Sequence, residues 1–178
     1  MILGMSLSTF TSVHVALSLI GIASGVLALL AGLGSRNATG LNALFLLTTT
    51  AASVTGFFFP STRVGMGHAM GVVSLVVLVP TTLALYRYRL AGPWRWIYMT
   101  GATIALYLNV FIGVAQAFGK IAFLRPLAPT PSAPPVLVAQ FIVLAAFVAL
   151  GAFAVKRFHP GTRRCRAAKA RYKPTFPG

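Results

Sequence analysis

Long apolar runs set the plan of this chain. They cover residues 10–33, 41–59, 66–86, 95–118 and 137–155. Each rises far enough as a helix, at about 1.5 Å per residue, to cross about 30 Å of hydrocarbon. Neither strict alternation nor a polar helix face interrupts them, so the pattern excludes a soluble core. Short breakers separate the runs: GSRNATG, PSTRVG and RYRLAGP. The longest connection, GKIAFLRPLAPTPSAPP (119–135), carries five prolines from Pro126 on. It reads as non-helical, extended along the surface. The predicted fold class is all-α, a polytopic membrane bundle of five transmembrane helices over residues 1–158. A polar, basic tail follows at 159–178.

Charge orients this bundle. With five spans, Arg36, Arg87, Arg89, Arg95 and eight residues of KRFHPGTRRCRAAKARYKPTFPG share one side, twelve in all, against Arg63, Lys120 and Arg125 on the other. Lys and Arg accumulate on the cytoplasmic side, so the expected orientation is N-terminus out and C-terminus in. MILGMSLSTFTS has no basic residue to form the n-region of a signal peptide, so the first run is expected to remain as a helix. Trp94, Trp96, Tyr86, Tyr88 and Tyr98 gather at the inner ends of the third and fourth runs and read as an interfacial belt. Asn37-Ala38-Thr39 matches a glycosylation sequon but falls on the cytoplasmic side. The expected location is the bacterial inner membrane.

The chain has no Asp and no Glu, and its formal charge is +15. Coupled cation transport, hard-cation binding and carboxylate acid–base catalysis all rest on carboxylates, so each is excluded. The single cysteine, Cys165, removes internal disulfides and thiolate metal clusters. Nucleotide phosphate loops are absent. Ser18 shares a helical face with His14, but that spacing alone does not make a nucleophile–base pair. An enzyme is therefore not the expected reading.

Two histidines sit among the apolar runs, His14 and, in GMGHAMGVVSL, His68. They lie 54 residues apart. Shifting the first helical hairpin by that interval lays its second run on the fourth, so the chain reads as two parallel His-led hairpins plus a fifth helix. The histidines then share a depth to within about 3 Å. Paired imidazoles at one depth are what a bis-histidine haem b needs, with iron ligated by His14 and His68. Ser18, Gly21, Gly25, Ala28 and Gly32 share the His14 face and would let either a helix or a flat macrocycle approach. Gln116 and Gln140 lie near the same outer end, with Arg63, Lys120 and Arg125 above them as partners for propionates. The competing reading makes these polar groups hydrogen-bonding glue between helices, each imidazole bonded to a carbonyl or hydroxyl.

The segments HVALSLIGIASGVLALLAGL, TTTAASVTGFFFP, GHAMGVVSL, LALYRYRLAGPWRWIY and LYLNVFIGVAQAF together resemble a family of small bacterial multi-pass inner-membrane proteins of uncharacterised activity. More loosely, the chain is similar to four-helix b-type cytochromes, a resemblance that implies one haem at most. Two functions are therefore expected to compete. One is a non-catalytic accessory or assembly subunit of a larger membrane complex. The other is a haem- or quinone-binding electron-transfer module. The expected partners are anionic lipid headgroups at the basic tail and an acidic partner subunit, with nucleic acid the weaker match.

Overall fold

The computed structural model describes residues 4–34, 38–59, 66–128, 130 and 133–157. These form helices α1 (Leu7–Leu33), α2 (Thr39–Gly56), α3 (Met66–Tyr86), α4 (Trp94–Lys120) and α5 (Pro134–Arg157), with a 3-10 turn at Arg125–Leu127. The described chain is all-helical. Arg36, Arg63, Asn37 and the tail at 159–178 lie outside the described residues.

Local chemistry explains the ends. Ser6 caps α1, its hydroxyl accepting from Thr9 N at 3.1 Å, so the helix starts three residues before the apolar run. α2 stops at Gly56 instead of 59, because Phe57 and Phe58 tighten onto the carbonyls of Val54 and Thr55. The expectation of an extended 119–135 connection needs correction. α4 runs to Lys120, a 3-10 turn follows, and the Pro134-Pro135 pair opens α5. A proline in the first turn forfeits no helical hydrogen bond, and its fixed φ suits the start of a helix. Ala128, Ala133 and Val136 pack on Phe118, folding the connection against the end of α4.

Successive helices run antiparallel. The start of α1 meets the end of α2 at His14 and Thr55, Thr81 of α3 lies on Gly101 of α4, and Thr103 of α4 lies on Gly151 of α5. The two most extensive interfaces are α1 with α2 and α3 with α4, the two hairpins of the sequence pattern. α4 touches every other helix, and Met99, Ala102, Ala105 and Leu106 on it are fully enclosed. Around them lie Leu29, Phe45, Leu46, Leu78 and Ala84. One end of the bundle carries both histidines. The opposite end carries the tryptophans.

Four helices, α1, α3, α4 and α5, are long and apolar enough to cross a membrane. α2 falls short of that measure: its 18 residues include Asn42, Thr48, Thr49, Thr50, Ser53 and Thr55. The distribution of side chains is inverted relative to a soluble protein. Asn42, Thr48, Thr49, Ser74, Thr81 and Thr103 are buried, while Leu47 is 69%, Phe141 68% and Val76 66% exposed. The aromatic belt is also corrected at one position. Tyr86, Tyr88 and Trp96 are exposed, but Tyr98 is 3% exposed and belongs to the core.

Candidate functional site

The histidine end is built by the first turns of α1 and α3 closing on the last turn of α2. His14 Nδ1 lies 2.9 Å from Thr55 Oγ1. That hydroxyl donates to Ala51 O at 2.8 Å, so its lone pair accepts from His14 Nδ1–H. The imidazole is thereby held in the Nδ1–H tautomer, with Nε2 as its lone-pair nitrogen. Phe59 packs edge-on to the ring at 5.1 Å between centroids and also meets Phe10 at 5.2 Å. His68 is half-buried, and its ring meets Phe57 edge-on at 5.8 Å. A Cβ on Gly71 would lie 3.0 Å from that same phenylalanine, so Gly71 is what lets α2 close on α3.

The end of α2 thus lies between the elements that carry the two imidazoles. Thr55 and Phe59 take His14; Phe57 takes His68. A bis-histidine haem needs both rings on one flat gap; here the described contacts of the two rings share no residue. His14 follows the hydrogen-bonding alternative. His68, among the described residues, has an aromatic edge contact and no hydroxyl or carbonyl partner.

The small-residue stripe below His14 receives a helix. A Cβ on Gly25 would lie 2.7 Å from the Phe45 ring. One on Gly21 would lie 3.0 Å from Thr49 Oγ1 and 3.1 Å from Asn109 Nδ2. Both positions are therefore taken up by side chains of α2 and α4, and the stripe serves close helix approach. Asn109 Nδ2 donates to Ser18 O at 3.4 Å, tying α4 to α1. Gln140 Nε2 donates to Phe111 O at 2.9 Å, tying α5 to α4. Ser53 and Ser74 tie α2 to α3 at 3.1 Å. Side-chain bonds of this kind also join the helices of membrane bundles.

The remaining sequence candidates disperse. Gln116 is exposed on α4, two turns beyond Asn109 on the same face, and Lys120 and Arg125 are exposed at the helix end and in the 3-10 turn. Arg63 lies outside the described residues. Among the described residues no three metal-ligating side chains come together. Sequence reasoning missed Phe57 and Phe59, because nothing in TGFFFP says which aromatic turns toward which histidine. Thr55 was not legible as a partner either, because a threonine hydroxyl inside a helix ordinarily bonds its own backbone. Here the hydroxyl serves both its own helix and His14.

Comparison with known protein families, with curated proteins and with solved structures finds no match for this chain.

Proposed function

We propose that this chain is a five-span protein of the bacterial inner membrane, N-terminus out and C-terminus in. In this reading it is a non-catalytic accessory or assembly subunit that docks on an acidic neighbour. The membrane part rests on the inverted side-chain distribution. Hydroxyls and Asn42 turn inward, and Leu, Val, Ile and Phe turn outward. Lipid rewards that arrangement and water penalises it. α2 counts as the fifth span for the same reason. Its polar residues face α1, α3 and α4, while Leu44, Leu47 and Val54 face out, and 18 residues rise about 27 Å.

The docking part is carried by one observation: a formal charge of +15 with no acidic side chain to offset it. Arg87 and Arg89 are exposed at the tryptophan end, and the sequence after Lys156 holds further cations. Uncompensated charge of one sign steers association toward the opposite sign. Solubilised in mild detergent at low ionic strength, the chain is expected to migrate in native electrophoresis above its own mass, and to fall to it at high salt. Migration as a lone chain at low salt would overturn the docking part. The haem-module alternative ranks second, because His14 meets Thr55 and Phe59 whereas His68 meets Phe57. A colourless protein without a reduced-minus-oxidised band is the expected spectrum.

A further inference from the structure

The α4–α5 seam is closed at Thr103 and Gly151 but grooved on its outer side. An apolar groove of about 500 Å³ lies along it, walled by Thr103, Tyr107, Leu144, Phe147, Ala152 and Val155. That volume is within the usual range for small-molecule sites, about 300–1,000 Å³. Its lining on α4 extends from Trp96 to Tyr107, a rise of about 16 Å, or half of about 30 Å of hydrocarbon. At the mid-depth end Tyr107 packs against Phe147, ring centroids 5.8 Å apart. At the surface end Trp96 and Lys156 line the mouth.

A second cleft adjoins that mouth. It is of mixed lining, about 800 Å³, with Arg89 and Arg95 set among Leu90, Gly92, Trp96 and Ile97. Trp96 lines both spaces, and the Arg95 guanidinium lies over its ring at 5.9 Å. Arg95 Nε is enclosed and, among the described residues, has no hydrogen-bond partner. The cleft is held in shape by a constrained loop. Arg89 and Leu90 adopt φ of 48° and 59°, and Leu90 is buried with its N–H on Ala84 O at 2.9 Å.

We propose that these two spaces form one binding site for an anionic phospholipid. One acyl chain lies in the α4–α5 groove, and the phosphate sits among Arg89, Arg95 and Lys156. The half-membrane length fits one leaflet. The three cations have no Asp or Glu in the chain to pair with, and a lipid phosphate supplies the missing charge. A second copy of the chain is the poorer occupant. It would need an apolar seam of full membrane depth, and it would bring only cations to this end. The site needs the bundle to sit in a membrane, and does not need it to dock on a protein.

The test uses Trp96 as the reporter. In the Trp94→Phe chain Trp96 is the sole tryptophan. Reconstituted with lipids brominated on the acyl chain, it should be quenched by phosphatidylglycerol at a lower mole fraction than by phosphatidylcholine. Arg89→Gln or Arg95→Gln should weaken that preference about fivefold each, the factor that about 1 kcal/mol per basic residue produces. Ala152→Phe, which fills the groove, should abolish close quenching by both lipids. A chain ending at Phe158 should keep the preference. Equal quenching by the two lipids would overturn the proposal, as would a preference that disappears with the tail and survives both arginine substitutions. Should the variants misfold, the unaltered chain taken from nanodiscs of equal lipid content into native mass spectrometry decides. One retained phosphatidylglycerol supports the site; no retained lipid, or equal retention, overturns it.

Discussion

At Gly25 and Gly113 the same substitution is expected to act in opposite directions. Both are glycines in long helices, where alanine is intrinsically favoured by up to about 1 kcal/mol. At Gly113 a Cβ would meet only Ile22 Cδ1 at an ordinary 3.7 Å, so Gly113→Ala should raise the thermal midpoint of the detergent-solubilised protein. At Gly25 the Cβ would lie 2.7 Å from Phe45 Cδ2 and 2.9 Å from Leu106 Cδ1. Those rings and methyls are enclosed, so Gly25→Ala should cost about 1–3 kcal/mol and lower it. His14 and Thr55 supply a second residue-scale prediction. A double-mutant cycle with His14→Phe and Thr55→Val should return a coupling of about 0.6–2 kcal/mol, as for other hydrogen bonds between membrane helices. Zero coupling would mean that the 2.9 Å contact does not hold α1 to α2.

At the scale of elements, α2 is the decisive case. Its hydropathy alone does not make it a span, yet its outward face is as apolar as those of its neighbours. Leu47, at 69% exposure, marks the middle of that face. With Cys165→Ser as background, Leu47→Cys is expected to resist a membrane-impermeant maleimide in intact membranes and to react after solubilisation in denaturant. Labelling in intact membranes would place α2 against water and leave four spans. That outcome would also put the two ends of the chain on the same side, so it bears on the orientation as well. Elsewhere in the bundle the elements were legible in the sequence to within a few residues. The Pro-rich connection was the exception, because proline stops a helix from within but starts one from its first turn.

For the whole molecule, the proposed five spans would divide the basic residues twelve to three, and the proposed orientation rests on that bias. Alkaline phosphatase fused after Gly178 is expected to be inactive and a cytoplasmic reporter at the same place active. The reverse result would overturn the five-span, C-terminus-in reading. The bundle itself is held by close helix approach at glycines and by a few interhelical hydrogen bonds, since lipid gives helices no hydrophobic reason to associate. Its least covered member is α5, which leans on α4 and only lightly on α1. That is where the grooved seam lies, and where a lipid adds contact that the protein does not make with itself.

What the sequence determined by itself was everything local. A helix in lipid satisfies its own backbone, so the apolar runs marked the helices without reference to any neighbour. The charge imbalance and the absence of carboxylates are likewise properties of the chain alone. The spacing of His14 and His68 led to the expectation of a shared depth, and it could not tell their azimuth or what lay between. The tertiary structure decided that. It laid the end of α2 between the two histidine-bearing turns, seated Phe45 on the small-residue stripe, and joined Asn109 to Ser18 while leaving Gln116 exposed two turns along the same face. It also opened the groove between Trp96 and Lys156, residues 60 positions apart that no periodicity connects. The physical reason is the same throughout. Backbone hydrogen bonding and transfer into lipid act on each segment separately, whereas packing depends on which side chains fill the space between segments.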